Sequence, residues 1–358
     1  MDFVNGLYAI PILGVLFQLI GYLVATVVSF GPIILQGATP LALGALCGVM
    51  CERSGVVNIA IEGTMLASAF TGWVVGIALA PSLGTGPGWI FGITPALLIA
   101  FLAALAVAAV ISLLHAWLSI SVRADQIISG TIINIAAFGV TGYLNNIIAG
   151  SSPTSAGSFG QFNPPHELTQ LWGVGWLLDA FLSQGPITMS VIVVVIVLQV
   201  LLFRSRWGLR TRAVGEHPKA AETVGINVIA LRYRNVIIGG LFAGAAGAFL
   251  SMEATNSFQA GMTAGRGFIA LAALIIGRWT PIGAWGAALL FATSQVLGQA
   301  IVISPPSTGA LGDILTGIPA QFYDALPYVV TIVVLAGLVG RSIPPAADGK
   351  PYERESAT

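Results

Sequence analysis

The sequence predicts an all-α integral membrane protein of about ten transmembrane helices, and three observations carry that prediction. The 358-residue chain is 56% hydrophobic and only 8% charged, whereas about a quarter of the residues of a soluble domain are charged. Its apolar residues fall in long runs, such as Ile187 to Phe203, Val236 to Leu250 and Tyr328 to Val339, several of them near the roughly 17–25 residues that a spanning helix needs. These runs are continuous, which excludes the strands of a membrane barrel, where polar and apolar residues alternate over about ten positions.

In chain order the expected spans lie near 7–29, 31–50, 57–80, 89–119, 127–149, 187–204, 229–251, 265–277, 282–303 and 326–340. The first opens as MDFVNGLYAIPILGVLFQLI, which lacks the basic n-region and small-residue cleavage site of a secretory signal and is expected to be retained. The eighth has a clean apolar part, FIALAALIIG, short enough that a half-helix or re-entrant segment is an open alternative. Small-residue patterns such as GGLFAGAAG (239–247) and GAWGAALLFA (283–292) suit the close helix packing of a bilayer interior. Breakers at Pro11, Gly31-Pro32, Pro40, Gly55 and Pro281 point to irregular backbone, which survives at membrane depth only when buried in protein or lining a wet cavity.

Lys and Arg set the orientation. Residues 204–234 carry Arg204, Arg206, Arg210, Arg212, Lys219, Arg232 and Arg234, half of the 14 basic residues, so this loop is expected to be cytoplasmic. Threading ten spans through that anchor places Arg53, Arg123, Arg278, Arg341, Lys350 and Arg354 on the same side and leaves only Arg266 outside. The loops 150–186 and 304–325 then face outward with Glu167, Asp179, Asp313 and Asp324 and no basic residue. Both termini are expected in the cytoplasm of a multi-pass protein of the plasma membrane.

The basic loop holds AVGEHPKAAETVGINVIALR, in which Pro218 and the helix formers after it predict a short helix ended by Gly225. Such a helix along the membrane surface is a docking element for a partner, with a solvated connector as the plainer alternative. Asn58 and Glu62 are four apart and share one face of the third span, with Glu62 roughly 10 Å beyond Gly55. An ionisable group there costs about 2.5–3.5 kcal/mol on insertion scales. It is read either as a pathway or gating residue or as a helix-helix hydrogen bond or cap. Glu52 and Arg53 are adjacent, so their side chains point apart and each is expected to find its own partner. Further candidates for a polar lining are Gln126, Asn134, Asn145, Asn146, Glu253, Asn256, Phe258, Gln259, Gln295 and Gln299.

Several functions are excluded. The net charge is zero, which gives nucleic-acid binding no electrostatic support. Cys47 and Cys51 read as two small apolar residues on one helix face, because metal sites normally bring three or four ligands. There is no GxxxxGK[ST] stretch to bind nucleotide and no HExxH, and His115, His166 and His217 are scattered. No cofactor is expected, and no nucleophile-base or paired-acid constellation marks an enzyme.

ALGALCGVMCERSGVVNIAIEGTMLASAF (42–70), RADQIISGTIINIAAFGVTGYL (123–144), RAVGEHPKAAETVGINV (212–228) and GRGFIALAALIIGRWTPIGAWGAALLFA (265–292) resemble the permeases of ABC importers for branched-chain amino acids and simple sugars. The ERSGVVNIAIEG and GRGFIALAALIIGRW forms are most similar to the nucleoside-uptake branch, which is linked to substrate-binding lipoproteins. The resemblance implies a type II importer bundle, in which segments two to five and seven to ten form an inverted repeat. It also implies a permease domain over 1–340 and a short cytoplasmic tail over 341–358. The partners implied are a second homologous permease, two ATP-binding subunits and an extracytoplasmic lipoprotein. The loop 205–228 would couple to the ATPase through Gly215, Glu216, His217, Pro218, Lys219, Glu222 and Gly225. Asn58, Glu62, Asn134, Glu253, Asn256 and Phe258 are the candidates for the translocation path. The cargo implied is a nucleoside, with simple sugars and branched-chain amino acids as alternatives. An ion-coupled secondary transporter is the alternative from another class, and it would rely on Glu62 and Glu253 for coupling.

Overall fold

A computed structural model describes residues 11–83, 92–149, 157–169, 174–306, 310–334, 336 and 342–353. Parts of the expected spans at 7–10, 89–91, 335 and 337–340, parts of the outward loops, and the tail residues Arg341 and Arg354 lie outside the described residues. The helices in order are α1 (Pro11–Ser29), α2 (Gly31–Glu52), α3 (Ile61–Leu83), α4 (Pro95–Ala116), α5 (Gln126–Ala149), α6 (His166–Thr169), α7 (Gly175–Leu182) and α8 (Pro186–Arg204). They continue with α9 (Arg206–Glu216), α10 (Pro218–Thr223), α11 (Val228–Ala248), α12 (Arg266–Ile276), α13 (Pro281–Ile303), α14 (Ala310–Thr316), α15 (Ala320–Asp324) and α16 (Leu326–Val333). A π-helical turn prolongs α4 over Trp117–Ser121 and another prolongs α11 over Phe249–Ala254.

Among the described residues, seven helical stretches are long and apolar enough to cross a membrane: Gly31–Glu52, Ile61–Leu83, Pro95–Ser121, Gln126–Ile148, Pro186–Arg204, Val228–Ala254 and Pro281–Ile303. They coincide with the second to seventh and the ninth expected spans. The eighth, α12, has only 11 residues, about 16 Å at 1.5 Å per residue, and is too short to cross alone. The described apolar parts of the first and tenth are also short of a full crossing, at Gly14–Ser29 and Leu326–Val333.

Local chemistry sets the helix ends. Thr94 caps α4 by accepting from the Leu97 amide at 3.2 Å, and Pro95 occupies the first turn, where its missing N–H costs nothing. Ser205 caps α9 through the Gly208 amide at 3.0 Å, and Asn227 caps α11 through the Ala230 amide at 3.0 Å. Of the breakers in the sequence, Pro11 and Pro281 open helices, Pro32 sits in the first turn of α2 and Pro40 lies within α2. Gly55, in the left-handed region at φ 84°, is the position that marks a true departure from helix.

Contacts divide the chain into two units, residues 38–162, 184–288 and 341–358 in one and 1–37, 163–183 and 289–340 in the other. The larger unit is built around the buried half of α2, where Leu41, Leu46 and Met50 are sealed from solvent. Its α11 lies against α3 and α4 through small residues. A Cβ added to Gly244 would sit 2.5 Å from the Ala108 Cβ, and one on Gly247 would sit 2.1 Å from the Met65 carbonyl oxygen. Backbone approach this close supplies the dispersion contacts that replace the hydrophobic drive in a bilayer. In the smaller unit the Tyr22 hydroxyl donates to the Ser304 carbonyl at 3.0 Å and the Tyr323 hydroxyl to the Leu315 carbonyl at 2.6 Å.

Candidate functional site

Between α2 and α3 the chain leaves the helical path over residues 53–60, and buried polar side chains from α4, α5 and α11 satisfy the backbone it exposes. Arg232 donates to the Ser54 carbonyl at 2.9 Å. Gln126 Oε1 accepts from the Val57 amide at 2.7 Å, while His115 Nε2 donates to the Val57 carbonyl at 3.0 Å. That bond fixes the tautomer, so His115 Nδ1 accepts from the Ser129 hydroxyl at 3.2 Å. Asn134 donates to the Ile59 carbonyl at 2.9 Å and accepts from the Gly63 amide at 2.7 Å. Asn58, 2% exposed, accepts from the Ala60 amide at 3.0 Å and turns its amide nitrogen toward Cys47 and Cys51. Each unsatisfied group at this depth would cost several kcal/mol, roughly 2–7 by transfer scales.

Of the path candidates, Asn58 gives its carbonyl to the break and its amide nitrogen to the two cysteines of α2, and Asn134, on α5, bonds the break at Ile59 and the start of α3 at Gly63. Glu52 and Arg53 do diverge, yet to one place: Trp279 Nε1 donates to the Glu52 carboxylate, and Arg53 donates to the carbonyls of Trp279 at 2.8 Å and Arg278 at 3.1 Å. The turn they grip joins α12 to α13 and holds Arg278 and Trp279 at φ 53°.

Glu62 leaves α3 and receives the N-terminus of α12. Its carboxylate accepts from the Gly265 amide at 2.8 Å and the Gly267 amide at 2.6 Å, two of the donors that a helix start leaves without an intrahelical partner. The positive end of the helix dipole favours the negative charge. A Cβ on Gly267 would stand 2.6 Å from the Glu62 backbone, so glycine is what lets α12 come this close. Glu253 repeats the device at the start of α8, accepting from the Ile187 amide at 2.8 Å, the Thr188 amide at 3.1 Å and the Thr188 hydroxyl at 2.6 Å. Phe258 is 6% exposed, with its ring centroid 5.1 Å from that of Phe70 and 5.9 Å from that of Trp73. Asn256 takes a left-handed backbone at φ 52° in the turn before it.

The loop 205–228 folds as two helices. α10 begins at Pro218 and ends before Gly225, whose φ of 82° turns the chain toward α11. The preceding α9 was not expected from the sequence; its start is signalled by Ser205, a cap residue one position after the apolar run that ends at Phe203. His217 and Lys219 are exposed, and Val224 is 76% exposed. Gly215 is buried, Glu222 is half-buried, and Glu216, though exposed, is bonded to the chain end. A Cβ on Gly215 would meet the Arg53 carbonyl oxygen at 2.3 Å. The Glu216 carboxylate accepts from the Ala346 amide at 3.1 Å, and that of Glu222 accepts from the Tyr352 hydroxyl. The segment 342–353 thus packs beneath the loop. Within it, burial pushes the Asp348 carboxyl up to about 7, against the opposing pull of the Gly349 amide, Glu52 and Arg232.

Among the described residues no three His, Cys, Asp or Glu side chains gather as metal ligands. Broken helices, a half-helix gripped at its N-terminus and an exposed helical loop define a polytopic membrane subunit of the transport class. The chain belongs to the family described as "Branched-chain amino acid transport system / permease component", which matches residues 33–336. It is 40% identical over 325 residues to a guanosine ABC transporter permease protein of Bacillus subtilis, covering 90% of this chain and 95% of that one. A nucleoside ABC transporter permease protein of Lactococcus lactis is 36% identical over 88% of this chain and 93% of its own. A putative glucose ABC transporter permease protein of Haloferax volcanii is 36% identical over 86% and 90%. No solved structure matches.

Proposed function

We propose that the chain is the membrane permease subunit of an ABC importer that moves a nucleoside across the bacterial plasma membrane. The observation that carries the cargo is the 40% identity, across nearly the full length of both chains, to a permease named for guanosine. In this reading the chain pairs with a second homologous permease, two ATP-binding subunits and an extracytoplasmic binding lipoprotein, in a type II bundle of about ten spans. Residues 1–340 are the permease domain and 341–358 the cytoplasmic tail. Placing 13 of the 14 basic residues on one side supports cytoplasmic termini and a cytoplasmic 205–228 loop. The exposed His217, Lys219 and Val224, with Pro218 and Gly225 setting the ends of α10, form the docking face toward the ATPase. Closure of the ATPases would move this loop and open the path to each side in turn.

The putative glucose permease among the relatives supports a hexose as second reading. An ion-coupled transporter is disfavoured, because Glu62 and Glu253 are both held by backbone amides. Reconstituting the permeases, ATPases and lipoprotein in proteoliposomes and adding labelled guanosine, glucose and leucine separates these readings. ATP-dependent guanosine uptake is expected. Preferential glucose uptake would replace the cargo, and uptake by this chain alone on an ion gradient would overturn the proposal.

A further inference from the structure

Residues after a last apolar helix are ordinarily a solvated end, and IPPAADGKPYE (343–353) reads that way by composition. It is anchored at every turn. Ser342 Oγ donates to the Ile275 carbonyl at 2.7 Å, at the end of α12. The Ala347 amide donates to the Gly215 carbonyl at 2.9 Å and the Ala346 amide to Glu216 at 3.1 Å, at the end of α9. Arg232, 1% exposed, donates to the Lys350 carbonyl at 3.1 Å with Nη1 and to the Ser54 carbonyl at 2.9 Å with Nε. One guanidinium therefore joins the segment to the break at 53–60. Tyr352 donates its hydroxyl to Glu222 and buries its ring among Val214, Ala221, Val228 and Leu231. Glu353 closes the run with an ion pair to Arg123 at 2.8 Å.

We infer that residues 342–353 are a strap that positions the coupling helices and links their movement to the break at 53–60 and to α12. The inference rests on reading 205–228 as the ATPase-docking loop. Three features make the segment a strap. Pro344, Pro345 and Pro351 restrict the unbound chain, so less entropy is lost on holding it. Its bonds reach both α9 and α10 on one side and, on the other, Ile275 directly and Ser54 through Arg232. Its anchor at Tyr352 combines a hydrogen bond to a carboxylate with a buried ring. A push on α10 is thereby carried through Glu222 and Tyr352 to Lys350, Arg232 and Ser54. Tyr352 and Arg232 are positioning residues in this scheme.

The test uses Tyr352→Ala and Tyr352→Phe, each measured in two settings. In nanodiscs holding the permease pair without ATPase, amides 219–226 are expected to exchange about tenfold faster in Tyr352→Ala and about threefold faster in Tyr352→Phe. In the full complex the solute moved per ATP hydrolysed is expected to fall in the same order. Wild-type exchange and an unchanged ratio in both variants would overturn the strap. Should Tyr352→Ala fail to accumulate, Tyr352→Phe, which keeps the ring, decides the matter alone. Lys219→Glu separates the strap from the reading beneath it. Full ATPase co-purification with that variant would remove the docking role, while the exchange measurement still reports on the strap.

Discussion

Glu62 and Glu253 show what single residues do in this bundle. Each carboxylate is sited where a helix from elsewhere in the chain begins, and each takes two backbone amides. In Glu62→Gln one amide of α12 meets an NH2 group, and a hydrogen bond to a charged acceptor is worth about 1.5–3 kcal/mol. The complex is expected to assemble while uptake falls; proteoliposome flux beside co-purification of subunits measures both, and undiminished flux would make the contact mere packing. Asp348 makes a pH prediction. Its carboxyl stands near 7 in the docked segment, above its ordinary 3.8, with Glu52 and Arg232 facing it. The docked state thus holds a proton that the released tail gives up. Docking is strongest below about pH 4, weakens as the pH rises through 7 and is level above that. Protease cleavage of the tail should increase from pH 5 to 8, and Asp348→Asn should flatten the dependence.

At the scale of elements, the start of α12 leaves no room for added volume. Gly267→Ala would force a methyl to within 2.6 Å of the Glu62 backbone, with an overpacking cost of about 1–3 kcal/mol. A lowered unfolding temperature of the purified complex is the expected outcome. On the exposed side, Val224→Asp should weaken ATPase co-purification and leave that temperature unchanged, since Val224 is 76% exposed. The sequence made α10 legible, because Pro218 and Gly225 mark its ends by backbone chemistry alone. The shortness of α12 was legible too, from FIALAALIIG. The partners of the polar residues were not. Glu62 meets Gly265 across 203 positions, and no periodicity within a helix encodes such a pair. For Asn58 and Asn134 the bracing role could not be read from the sequence, because a polar residue in an apolar run carries the same signal whether it faces water or braces a carbonyl. The tail was hidden by its own composition, with Tyr352 the one aromatic hint of burial.

For the whole molecule the proposed orientation is directly measurable. Lys219→Cys is expected to react with an impermeant maleimide only in inside-out vesicles, and because Cys47 and Cys51 are buried the native background is low. Labelling from the outside would invert the topology. The two half-buried acids carry a last consequence. The ion pair Arg123–Glu353 is exposed on both sides. Inside the bundle, Glu62 and Glu253 are matched to helix starts, whose partial charges are fixed to the backbone and cannot be displaced by dissolved ions. The membrane-embedded part should therefore keep its melting temperature between dilute buffer and about 1 M salt, where the Debye length is only about 3 Å. It should also withstand extraction at high ionic strength that strips peripheral subunits held by surface charge.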